Sequence, residues 1–263
     1  MRVLLSFTCA LVVTCICANI ANAHFGIVIP SQSMVMDNKK AVPLEIDIAF
    51  SHPFSGQGMP MQMPAETFVM ARKSDNKPYR TQLNLSPSEY MGEAAFKASL
   101  VIDKPGVYQI GVIPKPYHEP AENCYIIHYV KTVIGAFGDE EYWDEPLGLP
   151  VEIVPLSRPF GNYAGNSFSG IALKDGKPMS NSTIEVEYLN LPATHKAPNA
   201  YFETQVMKTD QNGVFTFAIP WAGWWGFAAL APGDTKIEHE GKPLDVELGG
   251  IIWVNFAEPQ AVK

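Results

Sequence analysis

Cysteine is nearly missing from this chain once its first residues are set aside. The 263 residues hold 4 Cys, and Cys9, Cys15 and Cys17 lie together at the N-terminus. Only Cys124 stands beyond them, so no intramolecular disulfide can form there, and a chain of this length needs none. After the N-terminus no apolar run reaches the roughly 18 residues of a membrane span, so the protein is expected not to cross a membrane itself. Positive charge is also short: 19 Lys and Arg stand against 27 Asp and Glu, a formal net charge of −8. That balance argues against nucleic acid or an anionic lipid surface as partner and suits a cation. Also missing are a Gly-x-Ser-x-Gly elbow, a His-Glu-x-x-His pair and a phosphate-cradling glycine loop, so no enzyme is expected. The acidic residues Asp139, Glu140, Glu141, Asp144 and Glu145 read as a solvated loop rather than a catalytic carboxylate pair.

No segment sustains a helical period over several turns; strand alternation takes its place. Leu44, Ile46, Ile48 and Phe50 face one way, with Glu45 and Asp47 opposite. Ile184, Val186 and Tyr188 alternate with Glu185 and Glu187 in the same manner. Turn signals punctuate such runs, among them Lys104-Pro105-Gly106, Asp175-Gly176 and Asn212-Gly213. The expected class is all-β, with two β-sandwich domains. The proline-rich stretch 138–158 is read as a linker between an N-terminal sandwich, 24–137, and a C-terminal immunoglobulin-like or prealbumin-like sandwich, 159–263. Trp221, Trp224 and Trp225 are expected to plug the core of the second.

The first 23 residues read as a secretory signal peptide. Arg2 precedes an apolar run from Val3 to Ile16, and Ala21-Asn22-Ala23 matches the small-residue cleavage pattern. Cutting after Ala23 would place the protein in the periplasm and free the α-amino group of His24. An N-terminal histidine offers a metal two nitrogens, amine and imidazole, both available near neutral pH. His52 has the parity of the apolar face of its strand, and His128 shares a face with Ile126, Val130 and Ile134. Two inward histidines from distant strands can meet in one sandwich, and neutral imidazoles bind nickel, cobalt, copper and zinc. His24, His52 and His128 are therefore the candidate metal ligands. Met59, Met61 and Met63 are either thioether ligands for Cu(I) or packing. Cys124, four residues before His128, is expected to be a buried inert thiol. His118 lies in a proline-framed loop at the mouth of the site, and His195 and His239 are expected in polar, solvated loops.

Several motifs together resemble a bacterial family of periplasmic proteins associated with nickel and cobalt uptake. They are His24-Phe25-Gly26-Ile27-Val28-Ile29-Pro30-Ser31, Phe50-Ser51-His52-Pro53-Phe54, Pro114-Lys115-Pro116-Tyr117, Ile127-His128-Tyr129-Val130-Lys131, Arg158-Pro159-Phe160-Gly161 and Gly223-Trp224-Trp225-Gly226. The resemblance spans essentially the whole chain after Ala23. It implies a protein that captures Ni(II) or Co(II) as cargo for an inner-membrane transporter of the energy-coupling-factor type. His24, His52 and His128 fall at the histidines of its motifs, whereas His118 stands where the family has an aromatic residue. Two alternatives stay open. An N-terminal histidine with a second histidine is also the ligand set of copper carriers and copper-dependent monooxygenases. A structural sandwich protein without metal is the other.

Overall fold

A computed structural model describes residues 23–36, 41–72, 77–191 and 193–261. The signal peptide expected over residues 1–23 lies outside them except for Ala23. In chain order the strands are β1 (Phe25–Pro30), β2 (Met34–Val35), β3 (Val42–His52), β4 (Gln57–Met59), β5 (Glu66–Arg72), β6 (Pro78–Gln82), β7 (Leu85–Tyr90) and β8 (Glu93–Ile102). There follow β9 (Gly106–Ile113), β10 (Tyr117–Glu119), β11 (Cys124–Ala136), β12 (Val151–Pro155), β13 (Asn162–Tyr163), β14 (Ser167–Lys174) and β15 (Lys177–Pro178). The last are β16 (Thr183–Tyr188), β17 (Thr204–Lys208), β18 (Val214–Ala218), β19 (Gly223–Pro232), β20 (Ile237–His239), β21 (Lys242–Leu244) and β22 (Val246–Ala257). Among the described residues no α-helix forms, so none is long and apolar enough to cross a membrane.

The expected all-β sandwich class is borne out, in an arrangement the sequence does not disclose. An eleven-stranded sheet runs β17-β16-β19-β22-β11-β9-β5-β6, with β2 and β10 against β11 and β13 against β22. A five-stranded sheet, β1-β3-β8-β7 with β4 on β3, packs on one face of it. A four-stranded sheet, β12-β14-β15 with β18 on β14, packs on the opposite face. The two sandwiches thus share their middle sheet. Strand periodicity makes this possible, because successive side chains leave opposite faces. On β11, Val130 and Ile134 enter the core with Ile46 and Ile48, while Val133 enters the core with Ile153 and Phe168.

The stretch 138–158, expected as a linker, is not without structure. That stretch carries β12, whose five residues are all buried and pair with β14. The two halves are further joined by β22, which lies parallel to β11 from Tyr125↔Val246 to Thr132↔Trp253. Gly249 and Gly250 let neighbours approach β22 from both sides. A Cβ on Gly249 would collide with the His128 ring, and one on Gly250 would lie 2.6 Å from the backbone of Val151 and Glu152.

A buried carboxylate ties the halves together beside the site. Glu187 of β16 accepts a hydrogen bond from the Phe54 amide at 3.2 Å and another from the Thr204 hydroxyl. Burial pushes its carboxyl up to about 8. The ordinary Glu value lies near 4.5, so between these limits the folded chain holds a proton that the unfolded chain has released. The contribution of this group is therefore fully present below about pH 4.5 and is lost as pH rises from there through 8, a change on the order of 5 kcal/mol. Glu187→Gln is expected to remove that component. Denaturant midpoints of the variant should fall less than wild type between pH 6 and pH 9; parallel profiles would contradict this assignment.

Candidate metal centre

Antiparallel pairing of β1 with β3 builds the site. The register Phe25↔Ser51 and Gly26↔Phe50 sets His24 opposite His52 at the end of the ladder. Their ring centroids are 4.7 Å apart. The chain entering β1 is pinned by the buried Trp253 indole, which donates to the Gly26 carbonyl at 2.8 Å. The turn leaving His52 is pinned from the other half of the molecule. The Asn190 side-chain amide donates to the Phe54 carbonyl at 3.0 Å, and its backbone amide donates to the Pro53 carbonyl at 3.2 Å.

The His24 ring is buried and oriented. Its Nε2 lies 3.0 Å from Glu119 Oε2, and the other Glu119 oxygen accepts from the Ala121 amide at 2.9 Å. A carboxylate partner means Nε2 carries the proton, which leaves the lone pair on Nδ1, the ring nitrogen nearer the backbone nitrogen. Burial, and next the neighbouring His52, hold the imidazole down at about 4, so it is neutral at pH 7. His52 Nδ1 bonds the Ala23 carbonyl oxygen at 2.9 Å. Peptide geometry puts that oxygen about 2.2 Å from the His24 nitrogen. The Ala23 carbonyl thus fills a buried gap between the His24 nitrogen and a nitrogen of His52, and cleavage after Ala23 would empty it.

Of the three expected ligands, the structure brings His24 and His52 together and sets His128 beside them. The Phe50 ring contacts both, 6.0 Å from His24 and 5.8 Å from His128. His128 is 3 % exposed, and its Nε2 lies 3.4 Å from Glu247 Oε1. Among the described residues no group of three or more His, Cys, Asp or Glu side chains is close enough to hold a metal by itself.

Carboxylates surround these histidines. Burial raises Glu247, but its hydrogen bond with His128 and the charge of that ring outweigh burial and hold it below its ordinary value. Glu185 is pushed up to about 7 by burial and then by the charges of Glu247 and Glu122. This ring of acids favours an incoming cation. Glu119 was missed in the sequence, although alternation from Tyr117 puts both residues on one side of β10.

Other candidates resolve differently. Met59 is buried against Phe50 and Ile126, Met61 packs partly on the same cluster, and Met63 is exposed, so the first two serve as packing. Cys124 is half-buried, and burial with the charge of Glu122 pushes its thiol up to about 11, the inert state expected of it. Trp225 plugs the core as expected, while Trp221 stacks on exposed His195 at 4.9 Å and lines a cavity of about 420 Å³. His239 departs from its expected solvated loop: it lies on β20, half-buried, with its ring against His118.

A family model described as Domain of unknown function (DUF4198) matches residues 21–233. No curated protein matches the sequence. Among solved structures the chain is similar to native E. coli alpha-2-macroglobulin, at 12 % identity and a TM-score of 0.23; the match covers 89 % of this chain but 15 % of that one. The D0-D1 domain of intimin is 13 % identical with a TM-score of 0.23, over 89 % of this chain and 100 % of the other. The ectodomain of mouse nectin-like molecule 4 is 9 % identical with a TM-score of 0.21, over 90 % and 66 %. At such scores these likenesses carry no argument.

Proposed function

The chain belongs to the family described as Domain of unknown function (DUF4198), and from that open premise we propose that it is a periplasmic metal-capture protein. In this reading the signal peptide is removed after Ala23, and the freed N-terminus binds one divalent transition metal. The cargo is Ni(II), or Co(II) after it, delivered to an inner-membrane importer. The ligands are the His24 amine, the His24 imidazole and the His52 imidazole.

One observation carries the reading: the Ala23 carbonyl oxygen bonded to His52 Nδ1 at 2.9 Å. It marks a gap already lined by nitrogen on two sides, and metal–nitrogen bonds of about 2.0–2.1 Å fit a gap of that size. Glu119 completes the arrangement in which a carboxylate orients a metal-bound histidine. The transporter and the choice of nickel rest on the family resemblance of the motifs. Copper is the second reading, favoured by one feature of the same site: three nitrogens suit Cu(II), whose raw affinity exceeds that of Ni(II).

The test uses untagged chain exported with its own N-terminus. Ni(II) should bind in the presence of Zn(II), and no reductant-dependent oxidation of sugars or peroxide should follow when copper is supplied. His52→Ala should weaken binding at least ten-fold, His128→Ala by less than three-fold, because the three histidines do not close into a three-ligand group. Cells lacking the protein should lose nickel-dependent activity only when nickel is scarce, and added nickel should restore it. Restoration by copper would replace nickel with the second reading. No metal bound by the native chain would end both.

A further inference from the structure

The cavity of about 420 Å³ beside Trp221 is walled by rings and by polar side chains. The rings are those of Phe54, Tyr188, Phe202, Phe217, Trp221 and Trp225. The polar groups come from Lys196, Glu203 and Gln205, with His195 beside them. A volume of this size falls in the range of about 300–1,000 Å³ typical of small-molecule sites. The walls are fixed from behind. Trp225 donates its indole N–H to the Trp221 carbonyl at 3.0 Å, and the two rings lie 5.2 Å apart. The Asn190 side chain donates to the His195 carbonyl at 2.8 Å and accepts from its amide at 3.0 Å. Gln205 Nε2 donates to the Tyr201 and Phe202 carbonyls, both at 3.3 Å, which leaves its Oε1 to accept. Phe202 differs from the other rings: it is 55 % exposed, an aromatic face left wet at the cavity.

We propose that this cavity binds a neutral sugar, a hexopyranose unit of an oligosaccharide. Two demands must be met by one ligand. The rings ask for an apolar face, and the polar groups ask for a partner that both donates and accepts. Lys196 brings donors, while Glu203 and the free oxygen of Gln205 bring acceptors. Among the described residues neither the Lys196 ammonium nor the Glu203 carboxylate has a hydrogen-bond or ion-pair partner of its own. One charge of each sign leaves no net charge to favour an ionic ligand. A hydrocarbon would suit the rings but leave the acceptors dry and unpaired. A proline-rich segment offers carbonyl oxygens and no N–H from its prolines, so Glu203 and Gln205 would again go unpaired. A pyranose meets both demands. Its C–H bonds face the rings, and each hydroxyl at its edge donates and accepts. Phe202 adds apolar surface that a sugar takes out of water. A single unit held in this way binds with a Kd on the order of 1 mM.

None of His24, His52 and His128 lines this cavity, so its occupancy does not depend on nickel. The test is therefore made with EDTA present. The full chain is titrated with maltohexaose, cellohexaose and chitohexaose, and with decaproline as the competing chemistry. Trp221 and Trp225 report through their fluorescence, and saturation-transfer NMR reports which ligand protons touch the protein. At least one of the three sugars should bind saturably, and decaproline should not. Phe202→Ala and Gln205→Ala should each weaken the sugar at least five-fold. Val206→Ala, 62 % exposed on the same strand as Gln205 but outside the cavity lining, should leave the affinity unchanged. Should one of the two cavity variants fail to fold, the other decides. No saturable binding by any of the three sugars, sugar binding that ignores both cavity substitutions, or binding of decaproline in place of sugar would overturn the proposal.

Discussion

A chain with one glycine placed ahead of His24 is expected to bind its primary Ni(II) between ten- and one-hundred-fold more weakly than the chain that begins at His24. Every side chain is unchanged in this variant. The difference is that the His24 nitrogen becomes an amide, which is a poor ligand at neutral pH, and the added residue's carbonyl returns to the place held here by that of Ala23. The size of the effect follows from removing one donor of a chelate, at least as severe as loss of an outer partner, which costs about 10–100-fold. The same logic makes the uncleaved precursor a poor binder. Calorimetry on the two chains measures the ratio. Equal affinities would remove the amine from the site.

Glu152→Ala is expected to cost about 3–5 kcal/mol of folding stability, the scale for breaking a buried ion pair by removing one member. Lys131 is 0 % exposed and Glu152 is 2 % exposed, and Nζ donates to Oε1 at 2.6 Å between the middle sheet and β12. Burial holds the Lys131 ammonium below its ordinary value, against the pull of Glu152. Glu152 does more than pair with the lysine. It also accepts from the backbone amides of Leu147, Gly148 and Leu149, at 2.7, 3.0 and 3.3 Å. Alanine strands all three donors with an uncompensated charge. Lys131→Met combined with Glu152→Gln should recover part of the loss, since no buried charge is left over. Urea denaturation of the two variants checks the order; a loss under 1 kcal/mol in Glu152→Ala would contradict it.

Strands with one wet face were legible in the sequence. In β3 and β16 the alternation of Ile46 and Ile48 with Asp47, or of Ile184 and Val186 with Glu185, is the direct trace of a half-buried ladder. β12 was hidden for the opposite reason. It is buried on every residue, carries a glutamate whose partner is a lysine on another strand, and sits among prolines, so it mimics a linker. The shared middle sheet was equally out of sight, because pairing of β11 with β22 joins residues more than a hundred positions apart. Within the site, His24 and His52 announced themselves by position and parity. His128 was seen to point inward, but its distance from the other two depends on how two sheets meet. His239 was misread because its partner, His118, is reached only through the fold.

The strand that closes the middle sheet follows the rest of that sheet in the chain. β22 runs to Ala257 and fills the gap between β11 and β19. A chain growing from its N-terminus therefore holds β11 with one edge open until residues 246–253 have been made. During that interval the Gly26 carbonyl lacks the Trp253 indole and His128 lacks Glu247, so the N-terminal centre is assembled by C-terminal residues. Pairings this distant in sequence are slow to form. A chain truncated before β22 therefore carries His24, His52 and His128 without the frame that β22 supplies.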